Sequence, residues 1–200
     1  MLRIAALVSG GGTNLQALLD AEKSGALRSG KVTLVVSSKE GAHALSRARS
    51  AGVEGAVLAK GRGETPAEYG QRLVSLLRAH GVDLIVLAGF LLILDACVIR
   101  AYPDRILNVH PSLIPSFCGQ GFYGLRVHAA ALERGVQVTG ATVHLVNEIP
   151  DGGPILAQKA VEVLAGDTPE TLQMRVMEQA EWVLLPAETE KWARKLIGEA

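Results

Sequence analysis

The residues best suited to do chemistry stand together near the middle of the chain, at Asn108 and His110. They end a short apolar run, 106–109, whose composition predicts a strand. Side chains alternate along a strand, so Asn108 and His110 point to the same side of it. An amide N–H can stabilise an oxygen that gains negative charge, and an imidazole can exchange a proton with an attacking or leaving nitrogen. The pair predicts an acid–base site; a histidine that only hydrogen-bonds within the fold is the alternative.

A carboxylate farther along the chain is the third candidate. Asp151 begins an Asp-Gly-Gly-Pro turn, 151–154, between two apolar segments. A carboxylate beside an imidazole raises the fraction of the ring that is protonated at neutral pH. Separation along the sequence does not by itself bring Asp151 to His110, and a solvated Asp in a turn is the plain alternative.

Three consecutive glycines follow the first apolar run, in the turn from Ser9 to Asn14. Glycines let the backbone turn tightly, and the N–H groups at the start of a helix bind anions. Leu15 stands where a dinucleotide-binding turn has its third glycine, and no Gly-Lys-Ser/Thr ends the turn. The turn therefore predicts a monophosphate site, while a helix capped by Thr13 or Asn14 is the structural alternative.

The remaining polar residues give no signal for a metal. His128 and His144, taken with His110 and Asp151, have no recognised ligand spacing, so we expect no metal site. The two cysteines of the chain are too few for a disulfide framework and predict a reduced, cytoplasmic protein.

The elements that must position these residues alternate between strand and helix. The 200 residues are 48% hydrophobic but only 4% aromatic, which is typical of helices packed on a buried parallel sheet. We expect one doubly wound, mostly parallel, Rossmann-like α/β domain over 1–200, with its ligand at the carboxyl ends of the strands. The predicted strands are 2–8, 32–36, 84–88, 106–109, 139–146 and 155–163, and the predicted helices are 14–22, 42–50, 66–79, 128–134 and one long helix from 169 onward.

Charge and hydropathy exclude several classes of partner. Lys plus Arg equals Asp plus Glu at 20 each, so no basic surface for a nucleic acid or an anionic membrane is expected. No apolar run reaches the roughly 18 residues of a membrane span. We expect a soluble protein, monomer or homodimer, whose partners are small molecules.

Five segments in this order resemble the phosphoribosylglycinamide formyltransferase family: 9–16, 86–90, 106–115, 140–144 and 151–154. The Asn-x-His-Pro-Ser-Leu and Asp-x-Gly-Pro motifs are shared by folate-dependent formyltransferases in general, whereas the glycine turn is specific to members that act on glycinamide ribonucleotide. The resemblance implies a single formyltransferase-type domain without a metal. It also implies transfer of the formyl group of 10-formyltetrahydrofolate to the amino group of glycinamide ribonucleotide, in purine biosynthesis.

The same resemblance assigns roles to individual residues. Asn108 would stabilise the tetrahedral oxyanion, His110 would act as general acid, and Asp151 would keep that imidazole charged and relay protons through water. Half 1–100 would bind the phosphorylated substrate, and half 101–200 would supply the folate pocket and the catalytic groups. The substrate would be bound by Gly12, Thr13, Asn14 and either Glu178 or Glu181, and the pterin pocket would be formed by Leu91, Leu92, Ile93, Leu94, Asn108, Asn147, Glu148, Ile149, Pro150 and Asp151.

One departure from the family concerns Leu92, because relatives often have an arginine at this position. Two other functions remain open. A formyltetrahydrofolate deformylase would use the same Asn, His and Asp on water, but it normally carries an additional amino-terminal regulatory domain and is disfavoured by the phosphate turn. A non-catalytic nucleotide-binding module is the other alternative, disfavoured because all three catalytic residue types are present.

Overall fold

The first strand of the chain lies near the centre of a seven-stranded sheet. The structure is a computed structural model that describes residues 1–198. The strands are β1 (Leu2–Val8), β2 (Gly30–Ser37), β3 (Glu54–Val57), β4 (Leu84–Leu87), β5 (Ile106–His110), β6 (Val138–Leu145) and β7 (Ile155–Glu162). Their order across the sheet is β3-β2-β1-β4-β5-β6-β7, and the first five are mutually parallel. Strand β6 runs antiparallel to both of its neighbours. The predicted doubly wound, mostly parallel α/β fold is confirmed.

Seven α-helices connect and flank these strands within residues 1–198. They are α1 (Thr13–Ser24), α2 (His43–Ser50), α3 (Pro66–Ala79), α4 (Ala96–Ala101), α5 (Leu125–Arg134), α6 (Pro169–Val176) and α7 (Trp182–Leu196). The sequence did not predict α4 or β3, because each is short and lacks an apolar period of its own. The long helix predicted from 169 onward is interrupted between α6 and α7 by a π-helical turn, Met177–Glu181.

The two faces of the sheet each bury a separate hydrophobic cluster. On β1, Ile4, Ala6 and Val8 face the cluster to which α1 and α7 contribute, whereas Ala5 and Leu7 face the cluster of α3 and α4. This is the alternation expected of a strand that is buried on both sides, and it explains why β1 has a continuous apolar sequence. Helices therefore cover both faces and leave the strand ends free for ligands.

The connection that follows β3 determines where a ligand can bind. The chain passes from β3, at one edge of the sheet, across β2 and β1 to β4. The connection after β1 leads to β2 on one side, whereas the connection after β4 leads to β5 on the other side. The loops that follow β1 and β4 therefore diverge at the carboxyl ends of these strands. In open α/β sheets this divergence opens a crevice in which ligands bind. The glycine turn follows β1, and residues 88–95 follow β4 at the same end of the sheet.

Candidate active site

A cleft of about 500 Å³ occupies the crevice at the carboxyl ends of β1, β4 and β5. It brings together the three groups of residues that the sequence singled out: the glycine turn, the Asn108 and His110 pair, and the turn that contains Asp151. Of all the site residues predicted from the sequence, Glu178 alone does not line it. The predicted residues along its wall are Gly12, Thr13, Asn14, Leu91, Leu92, Ile93, Leu94, Asn108, His110, Asn147, Glu148, Ile149, Pro150, Asp151 and Glu181.

The Asp151 carboxylate lies between Asn108 and His110. Its Oδ1 is 3.4 Å from Nδ2 of Asn108, and its Oδ2 is 3.6 Å from Nδ1 of His110. The backbone N–H of Gly119 donates to the same Oδ2 at 2.8 Å. Asp151 itself has a φ of 54°, a left-handed conformation that is uncommon for a residue with a side chain. Such backbone conformations concentrate at functional sites, and here the conformation accompanies a carboxylate directed into the cleft.

His110 is buried between two hydrogen-bond acceptors. The ring is 4% exposed, and its Nε2 lies 2.9 Å from the carbonyl oxygen of Phe117. Because a carbonyl can only accept, Nε2 carries a proton, and Nδ1 is left facing Asp151. Phe117 has a φ of 50°, so a second non-glycine residue in a left-handed conformation contributes to this site.

Two opposing effects act on the pKa of His110. Burial lowers the pKa of His110 below its ordinary value, and the nearby Asp151 carboxylate and Phe117 carbonyl only partly oppose this effect. Asp151 thus favours the charged ring, as expected, whereas desolvation, the larger of the two effects, favours the neutral ring. Burial also lowers the pKa of the neighbouring His128 to about 4, and His110 adds to this shift. Burial acts to raise the pKa of Asp151, but hydrogen bonding to His144 and the nearby His110 outweigh it and the pKa is lowered.

We expect the substitution Asp151→Asn to lower the pKa of His110 further. The substitution removes the negative charge that opposes the desolvation of the ring while it keeps the shape of the side chain. Ring resonances of His110 followed by NMR against pH measure the midpoint. His80, which is paired with Glu54 on the surface, is the internal control and is expected to keep its midpoint. An unchanged or higher midpoint at His110 contradicts the charge interaction.

His144 also belongs to this cluster, although the sequence analysis considered it only as a metal ligand and expected no metal site. Its Nδ1 lies 2.8 Å from the carbonyl oxygen of Leu145, and its Nε2 lies 3.1 Å from Nδ2 of Asn108. The ring is fully enclosed, and Nε2 is also 3.5 Å from Oδ1 of Asp151. The pairing of β5 with β6 sets Asn108 directly opposite His144. That pairing is the signal that would have identified His144, and it needs a strand register that a single sequence does not provide.

The glycine turn leaves the start of α1 open to the cleft. Gly12 is the N-terminal cap of α1 at a φ of 75°, and no side chain of the described residues caps this helix end. The alternative that Thr13 or Asn14 caps the helix is therefore wrong. The N–H groups of the first turn remain available to an anion. The turn is fixed from behind by α2, since Arg47 Nε donates to the carbonyl oxygen of Gly11 at 2.9 Å and Ala44 N donates to that of Gly10 at 3.1 Å.

The π-helical turn places Glu181 beside the glycine turn. Asn14 Nδ2 donates to Oε2 of Glu181 at 2.7 Å, and Glu181 is 5% exposed. Burial raises the pKa of Glu181, and the hydrogen bond from Asn14 opposes this. Glu178 is exposed and lies outside the cleft, so the structure favours Glu181 over Glu178 as the residue facing a ligand. π-Helical turns insert an extra residue into a helix and often occur at functional sites.

Aliphatic residues form the mouth of the cleft on two sides. Ile93 is 64% exposed and Ile149 is 65% exposed, although both are large and apolar. Ser9 Oγ accepts from the N–H of Leu91 at 2.9 Å, and Asn147 Oδ1 accepts from the N–H of Ile149 at 3.0 Å. The first bond ties the backbone of 91–94 to the residue that follows β1, and the second closes a turn within 147–151. Exposed apolar surface on ordered backbone is what a flat aromatic ring would cover.

Two features are absent from residues 1–198. No set of three or more His, Cys, Asp or Glu side chains there is arranged to hold a metal ion. In the same part of the chain, no helix combines the length and the apolar composition required to cross a bilayer.

The chain is similar in sequence and in structure to known formyltransferases. Residues 2–187 match the family described as formyl transferase. The chain is 38% identical over 178 residues to the phosphoribosylglycinamide formyltransferase of Escherichia coli strain K12, covering 89% of this chain and 81% of that protein. It superimposes with a TM-score of 0.90 and 40% identity on the crystal structure of glycinamide ribonucleotide transformylase 1 from Symbiobacterium toebii, covering 98% of this chain and 89% of that one.

A plant relative is longer than this chain. The chloroplastic phosphoribosylglycinamide formyltransferase of Arabidopsis thaliana is 42% identical over 182 residues, which make up 88% of this chain but 61% of the plant protein. The chain thus spans about three fifths of the length of that relative. The resemblance that the motifs predicted is confirmed at the level of the family.

Proposed function

The chain belongs to the formyl transferase family, and we propose that it transfers the formyl group of 10-formyltetrahydrofolate to the amino group of glycinamide ribonucleotide. One observation carries this proposal: a single cleft joins an open helix N-terminus to the cluster of Asn108, His110 and Asp151. The helix end fits a phosphate and the cluster fits acyl transfer to an amine. A substrate that carries a phosphate at one end and an amine at the other spans the two.

The phosphorylated substrate is held by the glycine turn and by Glu181. The N–H groups of Gly12, Thr13 and Asn14 bind the phosphate, assisted by the positive end of the α1 dipole. Glu181 accepts from ribose hydroxyl groups next to that phosphate, because Asn14 already fixes its carboxylate in the cleft. The first half of the chain thus supplies the glycine turn, and the second half supplies Glu181.

The folate is held at the aliphatic mouth. The pterin ring packs between Leu91–Leu94 and Asn147–Asp151, and backbone groups of both segments supply its hydrogen bonds. Leu92 extends the apolar wall and offers no charge to the folate, unlike the arginine that relatives often have there. The second half of the chain thus provides one side of the pocket and the first half provides the other.

The cluster then provides the chemistry of transfer. When the amine attacks the formyl carbon, the carbonyl oxygen gains negative charge, and an N–H of Asn108 stabilises it. The amine must lose one proton and the leaving nitrogen of the folate must gain one. A His110 ring that is largely neutral beforehand can accept the first proton and deliver the second as general acid, while Asp151 stabilises the transiently charged ring.

Glu181→Gln is expected to raise the KM for glycinamide ribonucleotide about tenfold. The substitution keeps the size of the side chain but removes the charge that strengthens its hydrogen bonds to hydroxyl groups, a loss of about 1.4 kcal/mol. Glu178→Gln is the matched control, three residues away and exposed, and its KM is expected to stay unchanged. Steady-state kinetics with the ribonucleotide varied measure both, and equal effects of the two substitutions contradict the placement of Glu181.

The proposed activity is tested by incubating the purified protein with 10-formyltetrahydrofolate, with and without glycinamide ribonucleotide. Mass spectrometry of the products is expected to show formylated ribonucleotide only when the ribonucleotide is present. Free formate released regardless of the ribonucleotide would identify a deformylase instead. No product in either reaction would identify a non-catalytic module.

A further inference from the structure

The side chains that line the cleft carry acids but no bases of the lysine or arginine kind. Glu148, Asp151 and Glu181 line it, whereas none of the lining residues that the structure describes is a lysine or an arginine. Both proposed substrates are nevertheless anions, since one carries a phosphate and the folate ends in a glutamate. The start of a helix contributes only about half a unit of positive charge. A phosphate at the glycine turn therefore needs a cation from outside the wall of the cleft.

Arg47 of α2 lies directly behind the glycine turn. Its Nε donates to the carbonyl oxygen of Gly11 at 2.9 Å, and its Nη1 donates to Oε1 of Gln16 at 3.0 Å. Gln16 belongs to the first turn of α1, since its N–H donates to the carbonyl oxygen of Gly12. One guanidinium thus holds the glycine turn and the first turn of the helix at the same time.

The positive charge of Arg47 is not neutralised by a contacting carboxylate. Within residues 1–198, no Asp or Glu forms an ion pair with this side chain. Its two acceptors are a backbone carbonyl and a side-chain amide, both of which are neutral. A half-buried cation without a counter-charge attracts an anion across a short stretch of protein more strongly than it would in bulk water.

The peptide group between Gly11 and Gly12 connects this cation to the cleft. A trans peptide group points its carbonyl oxygen and its N–H in opposite directions. Because the oxygen faces α2, the N–H of Gly12 points away from α2, toward the cleft that Gly12 lines. That N–H donates to no group of residues 1–198. A charged donor on the carbonyl oxygen polarises the peptide group and strengthens the bond that its N–H can give to an anion.

We propose that Arg47 is a positioning residue of the phosphate site and supplies its positive charge through the peptide group between Gly11 and Gly12. Arg47 does not touch the phosphate. It holds the glycine turn in the shape that binds the anion, and it polarises the peptide group that donates to the anion. The inference rests on the proposed function, which places the phosphate at this turn. It also predicts selectivity, since Arg47 affects the phosphorylated substrate and not the folate.

The test measures the binding of ribose 5-phosphate by titration calorimetry, with no formyl donor present. Arg47→Gln removes the charge but keeps an amide donor, and its Kd is expected to rise about tenfold. Arg47→Lys keeps the charge, and its Kd is expected to stay within about threefold of the unmodified protein. Arg49→Gln is the matched control, because it removes the same charge from an exposed position of α2, and its Kd is expected to stay unchanged.

Three results of the calorimetry overturn the proposal. Equal Kd values for Arg47→Gln and Arg49→Gln show that the contact with Gly11 contributes nothing to binding. An Arg47→Lys variant as weak as Arg47→Gln shows that the shape of the side chain matters and its charge does not. An unmodified protein that does not bind ribose 5-phosphate shows that the turn holds no phosphate.

Steady-state kinetics give a second readout, which a general loss of structure would not produce. In Arg47→Gln the KM for glycinamide ribonucleotide is expected to rise about tenfold, while kcat and the KM for 10-formyltetrahydrofolate stay within about threefold. A tenfold fall in kcat overturns the proposal, since the change then reaches the catalytic cluster. Formyl transfer in which Arg47→Gln behaves like Arg49→Gln rejects only this inference, whereas binding of ribose 5-phosphate that depends on Arg47, without formyl transfer, rejects only the proposed function.

Discussion

Asn108→Ala is expected to lower kcat for formyl transfer by about two to three orders of magnitude and to leave both KM values nearly unchanged. In the proposed mechanism, the amide supplies a donor to the oxygen that becomes negative only when the amine attacks the formyl carbon. An interaction made only in the transition state contributes to turnover and not to ground-state binding. Steady-state kinetics with each substrate varied in turn separate the two effects.

The same substitution has a structural consequence that must be controlled. Without Asn108, Nε2 of His144 and Oδ1 of Asp151 each lose a hydrogen-bonding partner in a buried setting, which costs about 1–3 kcal/mol. Thermal unfolding of the variant reports this loss, and kinetics are compared well below its unfolding temperature. A kcat within a few-fold of the unmodified protein would remove Asn108 from the role of oxyanion donor.

The fold was predictable from the sequence wherever an element carried its own start and stop signals. Helix α3 was predicted residue for residue as 66–79, because an apolar helical spacing runs on from Tyr69 and Gly81 follows the end. The structure adds a capping box of Thr65 and Glu68 at its start. Strand β3 has no such signal: it is four residues long, mostly exposed and contains a glycine. It is a strand only because β2 offers it an edge to pair with.

The parts of the candidate site that depend on local strand geometry were predictable from the sequence. The parts that depend on burial and on contacts between distant segments were not. Alternation along β5 placed Asn108 and His110 on one side, and their common neighbour Asp151 shows that side to be the cleft. The contact of Asp151 with His110 depends on the antiparallel return of β6, which no local pattern encodes. The sequence likewise names the carboxylate that raises the pKa of His110 but not the burial that lowers it.

The choice between Glu178 and Glu181 shows how one inserted residue changes a helical face. On a regular α-helix from 169 onward, residues three apart lie on neighbouring faces, and both glutamates remain candidates. The π-helical turn Met177–Glu181 widens the helix at this point. Glu181 then faces Asn14, and Glu178 faces solvent. No sequence pattern predicted the π-helical turn, so only the structure could distinguish Glu181 from Glu178 as the residue in the cleft.

Gly12→Ala is expected to raise the KM for glycinamide ribonucleotide by about 10- to 150-fold, the equivalent of one lost hydrogen bond to a charged group. Gly12 has a φ of 75°, and a β-carbon at this position would lie 2.6 Å from Cβ and 2.8 Å from Cα of Ala44. Because the second of these atoms is backbone, the turn has to move away from α2. The N–H groups at the start of α1 then no longer converge on the phosphate.

The strain of the left-handed conformation alone must be separated from the displacement of the turn, and Gly52→Ala provides that control. Gly52 has a φ of 70°, but nothing lies within 4 Å of a β-carbon added there. Both substitutions are expected to destabilise the fold by about 1–2 kcal/mol through backbone strain, and only Gly12→Ala is expected to change the KM for the ribonucleotide. The KM for 10-formyltetrahydrofolate is expected to stay within about threefold in both, because the proposed folate site lies at the other end of the cleft. If Gly12→Ala loses stability like Gly52→Ala but binds the ribonucleotide normally, then the phosphate lies elsewhere in the cleft.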